Sequence, residues 1–188
     1  MLNWNRHGDD LLLSLSPEGV RFLREQWSWL RELVRWQLSA ATDDPLAALT
    51  GLPVPTGSID GRLAYVVDYW SGTDDPAPVR RVREAWVLHD VERGLARALA
   101  SLPRHGGVVR LPERIDGATA EWASMIETLH VVLDVSGRVN AAGDPGRVLP
   151  PEPGPAEAAD YRRSLLWLEL VLEVLVEAGR TAQAPAGD

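Results

Sequence analysis

Histidine and carboxylate side chains that share one helical face are the residues of this chain best placed for chemistry. His130 and Asp134 lie four residues apart, so their side chains can meet on a helix. Such a pair could bind a metal, or the carboxylate could orient the histidine for proton transfer. A metal site needs one or two more ligands, and His89 and Asp90 are the only obvious donors. Neither the spacing of His130 and Asp134 nor that of His89 and Asp90 matches a known zinc-binding pattern. A solvated salt-bridge ladder is therefore the favoured interpretation.

A second candidate for chemistry is an acidic stripe near the C-terminus. Glu169, Glu173 and Glu177 recur every four residues in the segment Tyr161–Ala178. The segment lacks the Glu-x-x-His motif of di-iron helices, so a solvent-facing stripe is favoured. The same segment is otherwise so apolar that we expect the other helices to pack around it. Its charges and its short apolar runs argue against a membrane span.

Composition narrows the class of protein further. The chain has 188 residues, a net charge of −8 and no cysteine. That length suits one domain with its own core, and the missing cysteines exclude disulfides, thiol catalysis and thiolate metal sites. All 19 basic residues are arginine, so Schiff-base and P-loop lysines are excluded too. With no nucleophile motif in view, we expect a protein that is not an enzyme and binds no cofactor.

The beginning of the chain carries no signal-peptide pattern. Met1 to Trp4 are followed by charged residues instead of an apolar segment. We therefore expect a cytoplasmic protein.

Local signals predict mostly helix. Ser16-Pro17-Glu18 combines a capping hydroxyl, a proline at the first helical position and an acid in the first turn. The region 51–77 is rich in Gly and Pro, and within it Arg62–Trp70 could be a strand or a short helix. Five helices are predicted, at 17–39, 43–51, 79–101, 118–138 and 161–178. The helix 43–51 is short and the other four are long.

Two short apolar segments, Leu11–Leu15 and Val108–Leu111, read as strands. Neither can satisfy its backbone alone, so we predict that they pair. The predicted fold is mainly α: a helical bundle of four to five main helices with a small two-stranded antiparallel β-ribbon. Residues 1–178 should form a single helical domain, and residues 179–188 a disordered tail.

The most informative surface lies on the predicted helix 79–101, where a tryptophan faces outward among arginines. Val82 and Trp86 fall outside the predicted core stripe of the helix 79–101. Tryptophan and arginine on one outward face are typical of protein interfaces. The residues predicted to contact a partner are Val82, Arg83, Trp86, Arg93 and Arg97. The alternative is that the 51–77 segment or the first helix covers this face.

The sequence leaves other partners and other functions possible. A homodimer is one, because Val131, Val135 and Trp86 all lie off the core stripes. DNA is another: the first alternative function is a DNA-linked transcriptional regulator that uses the Arg/Trp face of the helix 79–101, because this helix is locally basic, as a recognition helix would be. The acidic residues on that helix and the acidic chain argue against DNA. A metal- or small-molecule-dependent enzyme built on His130, Asp134 and His89 is the second alternative.

The order of several motifs is similar to an actinobacterial family of helical proteins, domain-of-unknown-function family 2017. The matching segments are DPLAAL at 44–49, Asp-Asp-Pro at 74–76, ARALASLP at 96–103, GGVVRLPE at 106–113, AEWASMIETLHVVLDVSGRV at 120–139 and the helix from Tyr161 through LWLE at 166–169. Members of the family include AosR-type oxidative-stress regulators, and many are encoded beside the protease adaptor ClpS.

The resemblance implies an actinobacterial cytoplasmic protein that acts through protein partners. AosR-type regulation rests on cysteine oxidation, so redox sensing of that kind does not carry over to a chain without cysteine. The resemblance implies no catalytic residue.

Overall fold

The computed structural model describes residues 2–8, 10–39, 59–71, 77–112, 117–137 and 155–183. In chain order its elements are β1 Asn3–His7, β2 Asp10–Leu15, α1 Pro17–Ser39, α2 Gly61–Ser71, α3 Ala77–Ser101, β3 Gly107–Pro112, α4 Ala118–Gly137 and α5 Pro155–Gln183. The described part of the chain is therefore mainly helical, with five helices and a small antiparallel sheet. The predicted short helix 43–51 lies outside the described residues.

The sheet has three strands in the described part of the chain, so the prediction of a two-stranded ribbon was wrong. Its order is β1-β2-β3. The predicted antiparallel pairing of β2 with β3 is confirmed, with Leu11 opposite Leu111 and Leu13 opposite Val109. These four side chains are buried on one face of the sheet, as the alternation of β2 requires.

The missing strand was β1, which pairs with β2 along its whole length. Its sequence, NWNRH, has no β-branched residue and reads as polar. It forms an edge strand because β2 supplies the hydrogen-bonding partner. Gly8, directly after β1, was the available signal for a turn, and it has a φ of 63°.

The first helix begins where the sequence predicts. The hydroxyl of Ser16 accepts a hydrogen bond from the backbone N–H of Gly19 at 3.2 Å, which satisfies one of the donors at the helix start. Helix α1 then runs to Ser39, and its buried face includes Leu23, Trp27 and Leu30.

The central helix is α4, and not α5 as predicted. Helix α4 packs against α1, α2, α3, α5 and β3, whereas α5 packs chiefly against α4. Leu166 and Leu170 of α5 are exposed, and so is the glutamate stripe Glu169, Glu173 and Glu177. A charge every fourth residue keeps one face of α5 in water, while α4 carries few charges and can be surrounded.

Two further details differ from the sequence predictions. Val135 is buried within the chain, so it gives no support to a dimer.

Helix α5 continues to Gln183, past the predicted end at Ala178. Ala178 is buried, and Arg6 of β1 donates to its carbonyl at 3.3 Å. One glycine at position 179 lowers helix propensity by only about 1 kcal/mol, so packing carries the helix through it. Residues 184–188 lie outside the described residues.

A half-buried ion pair fixes the start of α2 against α1. The carboxylate of Asp60 accepts hydrogen bonds from the guanidinium of Arg62 at both oxygens, each at 2.9 Å. The Asp60 backbone N–H donates to Gln37 on α1 at 3.0 Å. The guanidinium lies 5.1 Å from the ring centre of Trp29, a cation–π distance. Burial raises the pKa of Asp60, but the hydrogen bonds and charge of Arg62 outweigh it, and the pKa lies below its ordinary value.

We expect Asp60→Asn to lower the free energy of unfolding by about 1–3 kcal/mol at pH 7, because a charged hydrogen-bond acceptor is lost. A lowered pKa stabilises the fold fully above the unfolded-state pKa of about 4, and this stabilisation is lost as the pH falls through the folded-state value. Urea unfolding should therefore show a constant difference from wild type between pH 7 and pH 5. That difference should shrink below pH 4.

The control is Asp160→Asn, which breaks an ion pair with Arg163 whose side chains are both largely exposed. It should change stability by no more than about 0.5 kcal/mol. An Asp60→Asn cost as small as that of the control would contradict the assignment.

Candidate functional site

Trp86 lies on the outward face of α3, and its side chain is 61% exposed. Helix α2 resolves the uncertainty over Arg62–Trp70 in favour of helix, and it lies beside Trp86 without covering it. Between α2, α3 and α4 is an open cavity of about 910 Å³. We call it the Trp86 groove. Its apolar lining residues are Trp70, Val79, Val82, Trp86, Val87 and Val91, and its polar ones are Ser71, Arg83, Asp90 and Ser124.

Hydrogen bonds hold α2 against α3 along this groove. Arg83 donates to the backbone carbonyl of Ser71 at 2.9 Å, at the C-terminal end of α2. A cation is well placed there, since the last carbonyls of a helix carry partial negative charge. Arg80 binds Asp68 of α2 at 3.2 Å and Glu84 at 3.1 Å. These contacts fix the distance between two walls of the groove.

Trp70 of α2 connects the third wall of the groove, which is α4, to α2. Its indole N–H donates to the hydroxyl of Thr128 on α4 at 3.2 Å, and Thr128 donates to the carbonyl of Ser124 at 2.7 Å. The ring of Tyr69 packs edge-on against Trp70, with centroids 5.1 Å apart. Trp70 is therefore held in one orientation, with part of its ring still exposed to the groove.

A second, more polar groove of about 630 Å³ adjoins the first along the seam of α3 and α4. Asp90 and Ser124 line both. Two arginines lie in the second groove. Arg97 pairs with Glu121 of α4, and Arg110 of β3 pairs with Asp10. The two carboxylate side chains are only 22% and 14% exposed, whereas those of Arg97 and Arg110 are 60% and 73% exposed. The groove thus presents guanidinium groups to solvent and keeps their acidic partners inside.

Four of the five residues predicted to contact a partner line these grooves. Val82, Arg83 and Trp86 line the first groove, and Arg97 lines the second. Arg93 is exposed and pairs with Asp90 at 3.0 Å. All five lie on α3, as a helical face predicts.

Sequence reasoning missed the other wall of the Trp86 groove. Trp70 of α2 lies on that wall, and sequence reasoning also missed Val79 on the α3 wall; both side chains are partly exposed. The aromatic pair Tyr69-Trp70 at the end of an apolar segment was the available signal. It could not be used while strand and helix were both open there, because the two structures direct the side chain differently.

The histidines considered as possible metal ligands belong to no metal-binding cluster among the described residues. His130 Nε2 lies 3.4 Å from Glu169 Oε1 and links α4 to α5. His89 lies on α3, with a buried Nε2 that meets no hydrogen-bond partner in the described part of the chain. Among the residues that the structure describes, no three histidine or carboxylate side chains lie close enough to share a metal ion.

None of the described helices combines the length and the apolar content needed to cross a membrane.

Comparison with known proteins places the chain in a family. The model of the domain of unknown function DUF2017 matches residues 1–179, which includes every described element except the last turn of α5. No curated protein and no solved structure is similar enough to count as a match. Because the family model covers nearly the whole chain, this protein belongs to the DUF2017 family.

Proposed function

We propose that this protein is a non-enzymatic regulatory or interaction protein that binds a protein partner at the Trp86 groove. The observation that carries the proposal is the exposure of Trp86, 61%, beside an apolar cavity with fixed walls. An exposed apolar patch with a polar edge is characteristic of protein-binding surfaces. Tryptophan and arginine are the side chains that most often dominate their binding energy.

The energy available at this position is large. A tryptophan side chain can bury up to about 250 Å². At about 25 cal/mol per Å², covering the exposed part of Trp86 would contribute at most about 4 kcal/mol. Trp70 and Val79 add further exposed apolar surface to the same cavity. A partner that fills the groove therefore gains from several anchors at once.

Ion pairs between the arginines of α3 and nearby carboxylates favour a protein over a nucleic acid as the partner. DNA binding depends on cations that can replace counterions at phosphates. Along α3, Arg80 pairs with Asp68 and Glu84, and Arg93 pairs with Asp90. Within a chain of net charge −8, these pairs leave little local positive potential for a phosphate backbone.

The resemblance to AosR-type regulators supports a regulatory role for this partner binding. The proposal includes an actinobacterial origin and a cytoplasmic location. The signal must differ from that of the AosR-type regulators, because there is no cysteine to oxidise.

The test compares Trp86→Ala with Trp36→Ala in affinity purification of the full chain from its source cells. Trp36 on α1 is also 61% exposed, which makes it a matched control. Loss of a tryptophan anchor should weaken partner binding by at least about 30-fold, since hot-spot residues contribute about 2 kcal/mol or more. Trp36→Ala should retain the partner. Equal retention by both variants would contradict the proposal.

Light scattering on the same proteins separates self-association from binding of another protein. We expect wild type and Trp86→Ala to have the same mass, which leaves the groove free for a different chain. A dimer that becomes a monomer only in Trp86→Ala would assign the groove to a second copy of this protein and would overturn binding of a different partner there.

A further inference from the structure

Helix α5 has two faces that carry apolar residues at helical spacing. One face is buried, and its residues repeat at intervals of three and four: Leu168, Val171, Leu175 and Ala178. On the other face, Leu166 and Leu170 are 62% and 56% exposed, and Val176 is 41% exposed. Leu166 and Val176 are separated by about 15 Å, or nearly three turns, at 1.5 Å per residue. No described element covers this second face, which we call the outer face of α5.

The charge of the outer face is negative along its whole middle. From Ser164 to Gly179 the charged residues of α5 are Glu169, Glu173 and Glu177. They lie three or four residues from the exposed leucines, so carboxylates and apolar side chains are neighbours on the helix surface. Glu169 is 55% exposed and lies 3.4 Å from His130. Glu173 and Glu177 are exposed, and neither pairs with a cation in the part of the chain that the structure describes.

The surroundings of the outer face supply little positive charge. Helix α4, which packs along α5, contains no arginine or lysine, and its acids are Glu121, Glu127 and Asp134. Arg6 of β1 bonds to α5 at Ala178, which lies on the buried face. The arginines of α5 lie beyond the two ends of the acidic stretch, at Arg162, Arg163 and Arg180. A complementary occupant therefore carries cations in its middle and not at its ends.

We infer that the outer face of α5 binds a basic amphipathic helix of a partner protein. Its apolar residues pack against Leu166 and Leu170, and its arginine or lysine side chains lie over Glu173 and Glu177. The complementarity agrees with the charge of the whole chain, which is −8. The Trp86 groove is lined by α2, α3 and α4, so the outer face is a separate docking surface and the inference does not depend on the proposed function.

The outer face also indicates the conformation and the identity of the occupant. The backbone groups of a helix bond to one another, so α5 offers no row of backbone partners like the edge of a sheet. The occupant must satisfy its own backbone, as an amphipathic helix does. A second copy of this face would bring glutamates close to glutamates, and like charges disfavour such a contact. A different, basic chain is therefore the occupant that fits.

A displayed library of random 18-residue peptides tests this without knowledge of the partner. The full chain is the bait, and Leu166→Ser/Leu170→Ser is the counter-selection bait. Both leucines are exposed, so this variant should fold, and circular dichroism checks that it does. We expect peptides that bind wild type at least about tenfold more tightly than the counter-selection bait. They should carry apolar residues at intervals of three and four, with arginine or lysine in the middle.

A pair of charge variants with the same change in net charge separates local pairing from a general charge effect. For a representative enriched peptide, Glu173→Gln/Glu177→Gln should weaken binding about 3–10-fold, as expected for two exposed ion pairs. The control Glu25→Gln/Glu32→Gln removes two exposed acids of α1 and should leave binding unchanged. Equal weakening in both double variants would overturn the assigned pairing.

The remaining outcomes also decide the inference. Peptides that depend on the leucines but are neutral or acidic would overturn the basic helix. No enrichment, or enrichment that is insensitive to Leu166→Ser/Leu170→Ser, would overturn the outer face as a docking surface and would leave the Trp86 groove unaffected. A dimer in light scattering that becomes a monomer only in Leu166→Ser/Leu170→Ser would assign the face to a second copy and overturn binding of a different chain there.

Discussion

Trp27→Ala should lower the free energy of unfolding by about 3–5 kcal/mol, the range for removing a large aromatic side chain from a core. Trp27 on α1 is fully buried. Its ring packs edge-on against Trp122 of α4, with centroids 5.0 Å apart and planes at 87°. The indole N–H of Trp122 donates to the hydroxyl of Ser101 on α3 at 2.9 Å. Removing Trp27 therefore leaves a cavity where three helices meet.

Urea unfolding of Trp27→Ala is best compared with two other variants. Trp27→Phe should cost clearly less, because it keeps most of the ring and removes an indole N–H that has no hydrogen-bond partner among the described residues. Trp36→Ala, at an exposed position, should change stability by less than about 0.5 kcal/mol. If Trp27→Ala cost no more than Trp36→Ala, the placement of Trp27 in the core would be wrong.

Gly106→Ala is expected to have the second largest effect, roughly 2–5 kcal/mol. Gly106 precedes β3 and has a φ of 80°, a conformation that costs an alanine about 1–2 kcal/mol. A Cβ atom there would also lie 2.9 Å from the backbone nitrogen of Pro17, the first residue of α1. Backbone cannot rotate away as a side-chain end can, so the strand or the helix must shift, at a further cost of about 1–3 kcal/mol.

Gly8→Ala is the matched control for Gly106→Ala. Gly8 has a φ of 63° but open space around its missing Cβ, so it should show only the conformational cost of about 1–2 kcal/mol. Denaturant midpoints of the two variants, with unchanged slopes, give the comparison. Equal losses in both variants would mean that the close approach of Gly106 to Pro17 has no energetic weight.

The sequence by itself determined the features that depend on neighbouring residues. The start of α1 follows from Ser16 and Pro17, because a capping hydroxyl and a fixed φ act within one turn. The buried stripe of α4, including Ile126 and Leu129, follows from helical periodicity. The pairing of β2 with β3 follows from the need of two isolated strands for backbone partners, and the outward position of Trp86 follows from its place off the core stripe of α3.

Only the tertiary structure decided which faces are covered and by what. Periodicity shows that a helix has an apolar face but not which element lies on it. It therefore could not distinguish α4 as the central helix from α5, which leaves Leu166 exposed. For the same reason Trp70, about 58 residues before its hydrogen-bond partner Thr128, joined the candidate site only through the fold. Burial and groove shape depend on contacts between residues far apart in the chain, and those contacts are set by the packing of whole elements.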